Sequence, residues 1–137
     1  IENIRKGENF MKEVLKFLTD NLLLATVEGD KPRVRPFGFV MEYEGKLWFC
    51  TNNHKNVYKQ LKANPYFEVS TASPDGNGYV SGEGVFNTTP ATKAKALDMP
   101  ELANMYSVDD DIFEVFYVEE GDATFCSMAA EPRTVKL

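Results

Sequence analysis

Residues 32–52 read PRVRPFGFVMEYEGKLWFCTN, a run in which two strand-like segments meet at Glu44-Gly45. Pro32 to Tyr43 is rich in β-branched and aromatic residues. Lys46 to Thr51, with Leu47, Trp48, Phe49 and Cys50 in sequence, has the continuous apolar character of a strand buried on both faces. The acidic and glycine residues between them suit a tight hairpin. Upstream, Leu22 to Val27 is a short apolar run separated from Pro32 by the polar turn Glu28-Gly29-Asp30-Lys31, so three consecutive strands form an antiparallel meander.

The pattern continues outward on both sides. Before the meander, Val14, Leu15, Phe17 and Leu18 recur at helical spacing after Phe10, with Asn9 placed to cap the helix. After it, the polar segment Thr51 to Asn56 leads into a helix carrying Val57, Tyr58 and Leu61 that stops at Asn64-Pro65. Tyr66 to Ala72 is expected as a fourth strand, Pro74 to Gly78 as a turn and Tyr79 to Phe86 as a fifth strand. Gly82 and Gly84 inside that strand mark either a bulge or a close approach by another group. Thr89-Pro90 opens a helix to about Leu97, and a second short helix follows Pro100. Ile112 to Val118 and Ala123 to Met128 complete the set as two strands around a turn at Glu120-Gly121-Asp122.

About seven strands with short helices, and neither repeats nor a linker, fit one domain over residues 1–137. The expected class is mainly β (α+β), a small antiparallel barrel with peripheral helices. The βαβ alternation and glycine-rich loops of nucleotide-binding α/β folds are missing.

Composition narrows the function. With 21 acidic against 15 basic residues the formal charge is −6, which disfavours a general nucleic-acid binder. No apolar run is long enough for a membrane span, and IENIRKGENF has no export-type apolar region, so a cytoplasmic protein is expected. Cys50 and Cys126 are expected to be buried free thiols. One histidine, His54, and two distant cysteines do not assemble a zinc site, so no metal is expected. The acidic run Asp109-Asp110-Asp111 lacks the alternation and glycine of a calcium loop and reads as a solvated turn.

Two places concentrate anion-binding chemistry. Arg33 and Arg35 lie at period two and share one strand face, where they are either solvated on the outside of the sheet or relieved by an anion. From Thr51 to Lys59 a strand end runs into a helix start, whose free backbone N–H groups and partial positive charge suit a phosphate. Thr51, Lys55 and Asn56 would add side-chain donors, Lys55 being preferred over Lys59 because it lies nearer the helix start. An ordinary polar cap is the alternative.

The ordered set PRVRPFGF, EGKLWFCTN, a lysine-bearing helix ending in Asn-Pro, and YVSGEGVF resembles the FMN-binding split β-barrel family of pyridoxamine 5'-phosphate oxidase and its small nitroimidazole-reductase-like relatives. The likeness extends well from Leu15 to Asn87 and loosely beyond. The resemblance implies a split barrel that binds FMN at the interface of a homodimer. It places Arg35 and the backbone of Pro36, Phe37 and Gly38 along the flavin. Thr51, Asn52, Lys55 and Asn56 fall at its ribityl and phosphate oxygens. Later strands of a second copy, around Phe125 and Ser127, would complete the site. It further implies an oxidoreductase moving electrons from a reduced nicotinamide or similar donor to a small organic acceptor, or else a flavin, haem or deazaflavin carrier without turnover. Trp48 is the only tryptophan, and the C-terminal tryptophan and arginine by which true pyridoxamine 5'-phosphate oxidases grip their substrate have no counterpart, so the vitamin is not the expected substrate. No residue is assigned a catalytic role.

Overall fold

The computed structural model describes residues 11–18, 22–73 and 76–137. A helix over residues 11–18 (α1) precedes β1 (Leu23–Glu28), β2 (Lys31–Pro36), β3 (Met41–Tyr43) and β4 (Lys46–Asn52). Helix α2 (Asn56–Ala63), the hairpin of β5 (Tyr66–Ser73) and β6 (Gly76–Phe86), and helices α3 (Pro90–Ala96) and α4 (Pro100–Ala103) follow. The long β7 (Phe113–Ser127) and β8 (Ala130–Lys136) end the chain. The expected cap Asn9, Phe10 and the tip of the β5–β6 turn lie outside the described residues.

All eight strands form one antiparallel sheet in the order β2-β1-β5-β6-β7-β4-β3, with β8 paired to the far half of β7. The sheet curls on itself. Leu24 of β1 and Phe49 of β4 are separated by three intervening strands, yet both are fully buried in one cluster with Phe67, Val69, Val80 and Phe116. Val14 and Leu18 of α1 and Val57 and Leu61 of α2 plug the ends of this core. A second cluster on the outer face of β4 and β7 packs Trp48, Cys50, Phe113 and Val115 against Ala96 of α3. Burial from both sides explains why LWFC carries no polar alternation. The architecture is a split β-barrel of the α+β class.

Four strand boundaries differ from the sequence expectation, the mildest being the turn expected over Pro74 to Gly78, into which β6 extends from Gly76. The stretch Pro32 to Tyr43 is not one strand: it breaks after Pro36, and residues 37–40 cross from one end of the sheet order to the other before β3 begins. The gain is the partial burial of Phe37, whose ring packs edge-on against Phe49 and Phe116 at 6.3 Å from each. The expected turn at Glu120–Asp122 is a bulge inside β7, where the pairing with β6 shifts register between Ser81 and Glu83 and Glu120 takes a φ of 48°. Gly82 belongs to the same irregularity: a Cβ there would sit 2.7 Å from Val118. Finally, residues after Met128 form an edge strand, β8. Its exposed Pro132 and polar neighbours suit an edge and therefore read locally as a tail.

Cys50 and Cys126 are both free, Cys50 buried as expected and Cys126, near the end of β7, only partly so. Among the described residues no helix is long and apolar enough to cross a membrane.

Candidate functional site: a cleft at the seam of the barrel

Where β2 leaves the sheet, the ends of β2 and β4 and the start of α2 enclose a cleft of about 510 Å³, a size typical of small-molecule sites. It is lined by Arg35, Pro36, Phe37, Gly38, Thr51 and Lys55, six of the eight residues expected at a cofactor site.

Arg35 is placed by register. It pairs with Leu24, and Arg33 with Thr26, so both arginines share the concave face of the sheet rather than its outer surface. The two then diverge. Arg33 is bound to Glu28 at 2.8 Å, and that hydrogen bond, followed by one from Gln60, holds the Glu28 carboxyl below its ordinary range. Arg35 instead donates to Thr26 Oγ1 at 2.8 Å, to the Leu24 carbonyl at 3.3 Å and to Gln60 Oε1, all neutral groups. Burial lowers its pKa.

Lys55 stands at the N-cap of α2 in extended conformation, and no side chain caps that helix. Among the described residues neither Arg35 nor Lys55 has a carboxylate within ion-pairing distance. Thr51, only 5% exposed at the end of β4, has a buried hydroxyl with no hydrogen-bond partner. A buried hydroxyl without a partner costs about 1–3 kcal/mol, which a ligand oxygen would recover. Two cations without carboxylates, an uncapped helix start and an unpartnered hydroxyl therefore face one cavity. These groups suit a phosphate-bearing, polyhydroxylated ligand.

The other two expected residues sit apart from the cleft lining. Asn52 donates from Nδ2 to the Tyr106 hydroxyl at 2.9 Å and accepts from the His54 backbone N–H at 3.1 Å. Asn56 is exposed as the first residue of α2. Lys59 and His54 are exposed and likewise absent from the lining. Phe125 packs on Phe17 within its own chain and lies under Arg133. Asp110 proves to be a turn cap rather than a freely solvated acid, accepting from the backbone of Ser107, Ile112 and Phe113.

Two groups of residues escaped the sequence reading. Gln60, 6% exposed, bridges Arg35, Thr26 and Glu28, although a glutamine on a short helix gives no local sign of that role. Met99, Glu101, Leu102, Met105 and Tyr106 also line the cleft. Their spacing of three to four was available in the sequence; their destination was not.

Fold and cleft together define a split β-barrel protein with an anion-favouring site at its seam. The family model described as pyridoxamine 5'-phosphate oxidase matches residues 10–136, and the chain belongs to that family. A NimC/NimA family protein from Clostridium acetobutylicum is 43% identical, with 97% of this chain and 98% of that one covered and a TM-score of 0.89. Two more distant structures share the fold. A haem-binding protein from Mycobacterium smegmatis is 17% identical, with a TM-score of 0.64 over 86% of this chain and 53% of that one. A pyridoxamine 5'-phosphate oxidase-related, FMN-binding protein from Nostoc punctiforme is 12% identical, with a TM-score of 0.56 over 93% and 96%. No protein of curated function matches the chain.

Proposed function

We propose that the protein binds FMN in the seam cleft and acts as an oxidoreductase, passing electrons from a reduced nicotinamide or similar donor to a small organic acceptor. The observation that carries this reading is the convergence on one cavity of Arg35 and Lys55, both without carboxylate partners, the uncapped start of α2 and the orphaned Thr51 hydroxyl. In this reading Lys55 and the N–H groups of α2 take the phosphate, with Asn56 at hand. Arg35, Thr51 and Asn52 serve phosphate and ribityl oxygens, and Pro36, Phe37 and Gly38 lie along the ring. FMN would supply the electron chemistry, while the chain binds it, orients it and limits water.

Family membership and the flavin-binding relative support FMN; the haem-binding relative makes a carrier of another cofactor the second reading. The visible spectrum of the purified protein separates them. Flavin bands with nicotinamide oxidation in the presence of an acceptor support the proposal, whereas a Soret band or a colourless protein that ignores added FMN rejects it. Flavin bands without turnover leave the carrier.

A homodimer with the flavin between copies is part of the same proposal. The outer face of β1 and β2 leaves Leu23 46% and Val34 67% exposed, apolar area that a second copy would cover. Sedimentation of the FMN-loaded protein as a monomer at micromolar concentration would count against it.

A further inference from the structure

Arg35 lines the cleft from β2, but the group that holds it belongs to a helix. Gln60 of α2, 6% exposed, is not part of the cleft lining; it borders a smaller cavity of about 370 Å³ together with Glu28 and Lys59. Its amide has one workable orientation. Nε2 donates to Glu28 Oε2 at 3.2 Å, and Oε1 accepts from Thr26 Oγ1 at 2.6 Å and from an Arg35 guanidinium N–H. A carboxylate only accepts and a guanidinium only donates, so turning the amide over would set acceptor against acceptor and donor against donor.

Charge is distributed unevenly along this chain of contacts. Arg33 donates twice to Glu28 Oε1, at 2.8 and 3.2 Å, while Gln60 occupies Oε2, so both carboxylate oxygens are engaged and Arg33 and Glu28 cancel. Gln60 is the neutral group between Glu28 and Arg35. Among the described residues Arg35 therefore donates to Gln60, Thr26 and the Leu24 and Arg33 carbonyls, and to no carboxylate. Residue 60 is buried, and a charge there would act on Arg35 with little screening by water.

From this we infer that Gln60 is a positioning residue that sets the charge of the cofactor site. It latches Arg35 to α2, the helix whose N-cap is Lys55, and because it is an amide rather than a carboxylate it leaves the Arg35 cation to the phosphate of the ligand. The inference rests on FMN binding in the seam cleft with Arg35 among its contacts. A glutamate at residue 60 would do the opposite on the same geometry: its carboxylate would pair with Arg35 and stand beside Glu28.

The test titrates the full chain with FMN and with riboflavin, followed by flavin fluorescence, in Gln60→Glu, in Gln60→Met and in Gln60→Met combined with Arg35→Ala. Thermal melts without flavin record stability. Gln60→Glu should weaken FMN binding by about tenfold or more, the effect of one lost charge-assisted hydrogen bond, and riboflavin binding by much less, so that the preference for FMN narrows. Gln60→Met removes the latch but adds no charge, and should weaken FMN binding by about two- to tenfold. On top of Arg35→Ala the same change should have no further effect on FMN affinity, which a residue that merely supports the fold would not show. A Gln60→Met protein that binds FMN as tightly as the wild type, or that loses as much affinity with Arg35→Ala as without it, overturns the inference. So does an undiminished preference for FMN in Gln60→Glu; should that variant not fold, the Gln60→Met pair decides alone. A wild type that takes up no FMN rejects the reading beneath, and the inference falls with it.

Discussion

Replacing Lys55 by alanine should weaken FMN binding without weakening the fold, and the structure says why the two effects separate. Lys55 is exposed, its side chain does not cap α2, and no carboxylate of the described residues pairs with it, so its removal strands no protein group. On the proposed placement of FMN, what is lost is one charge-assisted hydrogen bond to the phosphate. Such a bond contributes about 1.5–3 kcal/mol, or roughly ten- to a hundredfold in Kd at about 1.4 kcal/mol per decade. Arg35→Ala should cost a similar factor in affinity and also stability, because Thr26 and Gln60, 2% and 6% exposed, both lose a charged donor and keep only the hydrogen bond from Thr26 Oγ1 to Gln60 Oε1 at 2.6 Å and that from Gln60 Nε2 to Glu28 at 3.2 Å. A hydrogen bond to a charged group contributes about 1.5–3 kcal/mol, and losing one lowers Tm by several degrees in a domain of this size. The assay is titration of each variant with FMN and with riboflavin, followed by flavin fluorescence, together with thermal melts. Lys12→Ala, which removes the same charge from the exposed side of α1, is the control. Riboflavin lacks the phosphate and should bind the Lys55→Ala protein nearly as well as the wild type. Equal FMN affinity in Lys55→Ala and Lys12→Ala would refute the placement of the phosphate at the start of α2.

Three other outcomes are expected. Burial pushes the Cys50 thiol from 9.0 up to about 12, with Lys55 drawing it slightly back, so the unfolded chain ionises first on raising the pH. The stability tied to this thiol is complete below about pH 9 and lost between there and 12, at up to ~1.4 kcal/mol per pH unit. The stability difference between wild type and Cys50→Ala in denaturant melts should shift accordingly, and a difference independent of pH up to 10.5 would contradict the assignment. Gly78→Ala should destabilise by about 1–3 kcal/mol, since its Cβ would lie 2.8 Å from the Phe17 ring and 2.9 Å from the Thr124 carbonyl oxygen; an unchanged Tm would show that α1 does not press on β6. Gly38→Ala, by contrast, meets nothing within 4 Å and should leave Tm unchanged while reducing FMN affinity; a variant that binds FMN normally would remove the backbone at residue 38 from the flavin's bed.

Much of the fold is legible because its signals are local. The β1–β2 turn is announced by Gly29, which takes a φ of 64°. The α3 start is announced by Thr89-Pro90, where Thr89 accepts from the Thr92 N–H and forms a capping box. Buried β4 is announced by its unbroken apolar run. The misread boundaries depend on partners far away in sequence. Phe37, Phe39 and Val40 look like a continuing strand until Phe49 and Phe116 make a place for Phe37 in the core. Glu120-Gly121-Asp122 looks like a hairpin until β6 runs alongside both halves of β7. The same division holds at the cleft. Arg35, Thr51 and Lys55 are readable from their own chemistry and spacing, whereas Gln60 and the α4 wall become visible only when tertiary contacts bring them to Arg35 and to the cavity.

The location of the cleft follows from how an antiparallel sheet is closed. Along the strands the ladder consumes the backbone donors, and the inner face is filled by Phe49, Phe67 and Phe116, which leaves no room for a ligand. The seam is different. Pro36 has no N–H, and in the crossing that follows, Phe37 donates to the Leu22 carbonyl at 2.8 Å; among the described residues no other backbone N–H from Gly38 to Val40 donates to a backbone carbonyl. Polar main chain and open space therefore coincide where β2 departs. The end of β4 delivers the Thr51 hydroxyl to the same place, and α2 delivers its positive end. Further lining residues come from α4 and its flanks, on the connection between β6 and β7. The groups proposed to hold an anionic cofactor thus come from the barrel and α2, while the rest of the lining comes from a peripheral connection. Changing the latter need not disturb the former, a physical reason why one barrel can keep its cofactor site while its reaction partner varies.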